Sequence, residues 1–372
     1  MNRFISILVF LFAISGIYAQ DYNSVFYSDK KINPADTGKI FLRIENVNFL
    51  KNNEYFNHTV AGHTDFGYFL RPSAVYTPFP RLKIEAGIHL LKYSGLSNFS
   101  QTEPIFRAHY SDLKGFNLIM GSLYGTVNHN LIEPLFRFEH FFERNTENGL
   151  QVIFDKKYFY SDSWLCWERF IFQDDPYQER IFLGTNSKLL LINKDKFKLH
   201  IPFQSVIFHE GGQIDVSSDP VTAYTNTASG VSFTYMPTGN DRKKITFNSW
   251  YLTYYDISEM KIKKYDTGYG IYSSVLGKLN NWQAFCGFWH GATFIAPKGE
   301  PYLQSVSQIY GSYSEPEKDI LLIKFMYDNN IYNGVTLGFR LETYYEFLHK
   351  EMDYAYGVHL IFNRDFFLGK VK

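Results

Sequence analysis

Three groupings of side chains in this sequence could do chemistry. His109-Tyr110-Ser111 sets a histidine and a serine two positions apart, hence on one face of a strand. An imidazole so placed can take the proton of the hydroxyl and make it a nucleophile toward an acyl carbon, with Asn117 as a third, orienting member. The same spacing is common by chance, so the expectation is no enzyme, with a hydrolase as a residual reading. His209-Glu210-Gly211-Gly212-Gln213-Ile214-Asp215 gathers His209, Glu210 and Asp215 around two glycines that permit tight folding. Without fixed ligand spacing it reads as a constriction or loop, not as a metal site. The third grouping is opposite charge at two-residue spacing, Arg43 with Glu45 and Arg340 with Glu342. Such pairs suit a selectivity region or simple pairing inside a pore.

The elements that must position these residues are strands. In Arg81 to Lys92 the apolar Leu82, Ile84, Ala86, Ile88 and Leu90 alternate with Lys83, Glu85, Gly87 and His89. A period of two gives one greasy face and one polar face, and at about 3.3 Å per residue ten such residues cross a tilted bilayer. Phe197 to Phe208 and Val335 to Tyr345 repeat the pattern, whereas Tyr158 to Phe172 blurs it. If the apolar parity faces lipid, then Arg43, Glu45, Arg71, Lys83, Glu85, Arg107, Lys198, His200, Lys324, Arg340 and Glu342 face a lumen.

Connections sort by length. Short ones fall at Asp112 to Gly115, Asp155 to Lys157, Asn193 to Lys196, Pro237 to Lys243, Gly277 to Asn281 and Glu315 to Asp319. Long ones alternate with them, the longest from Thr126 to Asn148. This sorting predicts an all-β, antiparallel transmembrane barrel of about 16 strands (14 to 18), with short periplasmic turns and long extracellular loops. The literal count is odd, and Leu131 to Phe142 is a candidate for a missing strand. Composition agrees, since aromatics reach 19% while mean hydropathy is only -0.23. Thirty-seven basic and 37 acidic residues balance, which excludes a bulk-charge grip on nucleic acid. The two cysteines, Cys166 and Cys286, are far apart in sequence and lack ligand spacing; they read as two unrelated apolar-face residues, with a disulfide as the alternative in an exported protein. No cofactor fingerprint or phosphate loop is present.

Residues 1–19 read as a signal peptide, with a basic start, a short apolar core and a small-residue exit at Ala19. Residues 20–38 follow as a periplasmic lead-in, 39–367 as one barrel domain, and 368–372 as a tail. Signal peptide, loop sorting and the aromatic closing segment Tyr354 to Phe367 together resemble the porin-like outer-membrane β-barrel proteins of Gram-negative bacteria. That resemblance implies a channel for small polar solutes in the outer membrane. The alternative is an accessory barrel in an envelope complex or homo-oligomer, with Trp164, Trp167 and Trp250 as lipid belt or partner face. The residual hydrolase reading rests on His109 and Ser111, whose spacing is similar to the His-x-Ser of outer-membrane phospholipases, and it requires His109 to face lipid.

Overall fold

The computed structural model describes residues 21–144 and 146–371. The signal peptide expected over 1–19 lies outside the described residues. Among those described, sixteen strands form a closed antiparallel barrel. They are β1 (Lys39–Glu54), β2 (His63–Phe79), β3 (Leu82–Tyr93), β4 (Gln101–Ser111), β5 (Phe116–Ser122), β6 (Asn148–Asp155), β7 (Phe159–Arg169) and β8 (Arg180–Asn193), followed by β9 (Phe197–Glu210), β10 (Thr222–Tyr235), β11 (Lys243–Asp256), β12 (Thr267–Leu279), β13 (Trp282–Ala292), β14 (Glu317–Tyr332), β15 (Val335–Glu346) and β16 (Glu351–Lys370). Each strand pairs with its sequence neighbours, and β1 closes on β16 from Lys39↔Lys370 to Glu54↔Tyr354. Closure gives every strand two neighbours, although β4 meets the short β5 only over Arg107–Ser111 and leaves residues 101–106 without a β5 partner. Because Lys39 pairs with Lys370, the last strand runs past the boundary expected at 367.

Burial alternates along the strands as the pleat requires. In β3 the inward Lys83, Glu85, His89 and Leu91 are shielded while Ala86 is exposed. Short turns gather at one end. One of the two-residue turns, Asn333-Gly334, seats Gly334 at φ +77°, the left-handed backbone that such a hairpin favours.

Three non-strand segments fill the lumen. Residues 21–38 lead into β1 from the short-turn end, and Tyr22 and Phe26 are buried inside the barrel. Residues 123–147 and 293–316 fold in from the opposite end, bringing Leu135, Phe142, Phe294 and Leu303 to full burial. A loop taken out of water must find partners for its backbone. Inward amides on the strands supply them. Asn186 Nδ2 donates to His129 O (2.8 Å), Gln204 Oε1 accepts from Ile132 N (2.9 Å), and Asn226 Nδ2 donates to Ile295 O (2.7 Å). Two spaces left beside these segments measure about 20 and 10 Å³, room for one water at most.

Several expectations change. The short connection at Glu315 to Asp319 is the end of the long segment 293–316, where a single bridge between Val306 and Ser314 stands in place of a strand pair. That accounts for the odd count. Leu131 to Phe142 is not a strand but packs as turns and the short helix His140–Glu143, apolar because it sits in the lumen. Trp164 and Trp250 are not surface residues, at 4% and 3% exposure, whereas Trp167 is exposed. Trp164 stacks on His129 at 3.5 Å between centroids. Cys166 is buried, Cys286 is exposed, and both are free.

Candidate active site

His109, Ser111 and Asn117 come together, but inside the barrel. β4 and β5 pair Ser111 with Asn117, and both His109 and Ser111 point inward. His109 Nε2 lies 3.1 Å from Asn117 Oδ1, and its Nδ1 lies 3.2 Å from the Tyr124 hydroxyl. Ser111 Oγ accepts from Leu113 N (3.1 Å). His109 is fully buried, at the short-turn end, beneath segment 123–147. The requirement that it face lipid is not met, since residues on either side of it in β4, Ala108 and Tyr110, take the outward parity.

Most of the expected lumen charges are tied to one another, His200 being an exception whose Nε2 has no hydrogen-bond partner. Arg43 Nε and the outer guanidinium nitrogen reach Asp365 Oδ1 and Oδ2, each at 2.7 Å. Arg71 pairs with Glu45 (3.0 Å), Arg107 with Glu85 (2.7 Å) and Arg340 with Asp328 (2.7 Å). Lys83 donates to Lys31 O (3.0 Å). Glu342 accepts from Lys51 (3.1 Å), Lys324 (2.7 Å) and the Tyr344 hydroxyl (2.8 Å). Lys51 and Lys324 also grip Glu139 and Glu133 of segment 123–147. These charges act as crossbars that hold the inner segments, each cation having a carboxylate or carbonyl within reach.

The His209 segment forms no constriction. His209 and Glu210 end β9 at the rim, where Glu210 accepts from Arg169 (2.7 Å) and Arg180 (2.6 Å). Asp215 lies beyond them in 211–221 and accepts from Ser217 N (3.1 Å). The segments that enter the lumen are instead 21–38, 123–147 and 293–316, whose aromatic and aliphatic side chains are buried there.

Sequence reading missed a polar patch on the outer wall. Lipid-facing hydroxyls elsewhere satisfy each other across strands, as in Thr227 with Thr253 (2.7 Å) and Ser249 with Ser273 (2.9 Å). At β16, β1, β2 and β3 the outward parity carries amides, a carboxylate and an ammonium. Asn46 and Asn48 share a hydrogen bond of 2.7 Å, and Asn46 Nδ2 reaches Phe69 O at 2.7 Å. Asn52 pairs in register with Thr64 on one side and Tyr356 on the other. Thr64 Oγ1 donates to Asn52 Oδ1 (2.5 Å), while Asn52 Nδ2 donates to Glu54 Oε1 (2.6 Å) and to the Tyr356 hydroxyl (3.1 Å). One strand on, Tyr68 pairs with Lys92, and a groove of about 540 Å³ opens between Tyr68, Lys92, Ser97, Asn98, Phe99 and Thr102. Charged groups on a lipid-facing wall are costly toward the bilayer midplane and cheap near the interface, and the charged members, Glu54 and Lys92, stand at the long-loop ends of β1 and β3. The signal was available: if Arg43 and Glu45 face inward, Asn46, Asn48, Asn52 and Glu54 must face outward.

The barrel is similar in fold to the outer membrane protein OprD of Pseudomonas aeruginosa, with a TM-score of 0.54 at 9% identity over 92% of this chain and 98% of that one. It is likewise similar to a loop L8 deletion mutant of OmpT of Vibrio cholerae, with a TM-score of 0.52 at 10% identity over 88% of this chain and 100% of that one. No curated protein matches the sequence. A family model does match, over residues 32–371, and its description, lipid A 3'-O-deacylase-type, is that of an enzyme. The expectation of a non-enzymatic barrel is overturned by that match, and the reason it misled is that no contiguous motif announces the chemistry. The chain belongs to the lipid A 3'-O-deacylase-type family.

Proposed function

We propose that this protein hydrolyses an acyl ester of lipid A in the outer leaflet of the outer membrane, at the outward patch around Asn52, Glu54, Thr64 and Tyr356. The family match carries the reaction class. The place follows from access. An ester of a membrane-held lipid lies at the boundary of hydrocarbon and headgroup, so the groups acting on it must face outward near a rim. The buried His109 cannot meet it behind a wall of paired strands, and the filled lumen also disfavours the solute-channel reading.

In this reading Glu54 takes a proton from the attacking water as the water oxygen bonds to the acyl carbon. The Tyr356 hydroxyl, and the Thr64 hydroxyl once it turns from Asn52 Oδ1, donate to the carbonyl oxygen of the ester as it gains negative charge. The bond from acyl carbon to sugar oxygen then breaks, the sugar oxygen takes the proton from Glu54, and a free fatty acid leaves. Asn52 holds the carboxylate and the two hydroxyls in one cluster. The groove beside Lys92 receives the rest of the lipid, with the ammonium toward an anionic headgroup. Incubation of the folded protein with lipid A in mixed micelles is expected to release free fatty acid. A folded protein that releases none, across pH 6 to 9 and with divalent cations supplied, would refute the assignment.

A further inference from the structure

A second cluster stands at the long-loop rim, away from the outward patch. Glu315 comes from segment 293–316, Glu346 ends β15, and His349 lies in the turn 347–350 between β15 and β16. One ligand atom from each residue can be chosen so that all lie within 4.8 Å of one another. The three donors come from two connections and a strand end, and His349 is also held by stacking on His58 and by the Tyr313 hydroxyl at 3.2 Å.

Two carboxylates this close repel unless something neutralises them. Lys318 Nζ lies 3.1 Å from Glu315 Oε2 and donates to Thr59 Oγ1 (2.5 Å), so it serves one carboxylate. Glu315 Oε1 accepts from the Tyr313 hydroxyl (2.6 Å) and lies 3.0 Å from His349 Nε2. Glu346 is different. It is 1% exposed, and its Oε1 has no hydrogen-bond partner. A buried carboxylate oxygen without a partner, on a side chain grouped with a second carboxylate and an imidazole, is an incomplete ligand set. His349 keeps 38% of its side chain exposed, which leaves a path from water into the cluster.

We propose that Glu315, Glu346 and His349 bind one divalent transition-metal ion of the zinc class. Two carboxylates and an imidazole are a set that zinc accepts, with a fourth position open to water or to the Tyr313 hydroxyl. Calcium and magnesium favour all-oxygen shells and suit this site less. The ion fastens segment 293–316 to the β15–β16 turn and so clamps the mouth of the barrel. Lys318 competes for Glu315, and its removal strengthens binding.

The test is calorimetric titration of Zn²⁺ into the folded, chelator-stripped protein, with Co²⁺ absorption as a second readout. One ion per chain is expected. Glu346→Gln and His349→Ala should each weaken binding by about tenfold or more, and Lys318→Met should tighten it. His290→Ala serves as control, since His290 pairs with Asp319 (2.8 Å) at the same rim but on the outward face of the wall. Heat-shifted gel mobility shows that each variant is folded. Absence of saturable binding, or equal affinity in wild type, Glu346→Gln and His349→Ala, overturns the proposal. So does binding that is lost with His290→Ala.

Discussion

Arg43 and Asp365 face each other across the seam where the first strand meets the last, joined by two parallel hydrogen bonds of 2.7 Å each. The fork geometry fixes both side chains, and it locks the register that closes the barrel. Asp365 is 39% exposed at its side chain, so water screens the pair in part. Arg43→Ala and Asp365→Ala are each expected to cost about 1–2 kcal/mol, and the double variant less than their sum. Urea unfolding in detergent micelles measures the cycle, and strict additivity would mean that the pair contributes nothing to closure.

Glu342 carries a heavier burden. It lies between Lys51 and Lys324, both buried, and those lysines also hold Glu139 and Glu133. Removing the central carboxylate leaves two facing cations short of a partner. Glu342→Ala should therefore destabilise by about 3–5 kcal/mol, clearly more than loss of the seam pair. A smaller shift in the unfolding midpoint than for Arg43→Ala would show that the network is slack.

Occupancy of the lumen predicts electrical silence. Wild-type protein in a planar bilayer is expected to give no stepwise conductance, because residues 21–38, 123–147 and 293–316 fill the path. Stable unitary steps from a pure, folded sample would contradict the plug and restore the channel reading.

Acid–base behaviour should report on Glu300 in the inner segment 293–316. Burial pushes its carboxyl from 4.5 up to about 8, Glu139 adds to the rise, and Lys51 opposes it. The folded state then holds a proton that the unfolded chain releases from about pH 4.5 upward. Stability from this group is complete below pH 4.5 and falls as pH rises toward 8. Glu300→Gln should flatten that decline, measured as unfolding midpoint against pH. An unchanged slope would place the titration elsewhere.

Much of the barrel was legible in the sequence, because a period of two survives wherever one wall meets lipid. β3 and β9 show it plainly, and the start of β1 at Lys39 follows from it. The interior was harder. An inward loop rich in Leu and Phe, such as 131–142, looks like a strand, since burial in a lumen selects the same side chains as burial in a membrane. His109 and Ser111 were found by spacing, yet spacing does not say which side of a wall they occupy. The patch of Asn52, Glu54 and Thr64 is assembled by register between β1 and β2, and register is not written in either strand alone.

The most direct measurement is the mass spectrum of lipid A from cells producing the protein or its variants. The account predicts that wild type removes one acyl chain, that Glu54→Gln and Thr64→Val lower this by about a hundredfold, and that His109→Ala retains it. Full deacylation by folded Glu54→Gln and Thr64→Val, with loss in His109→Ala, would contradict the account and move the chemistry into the lumen.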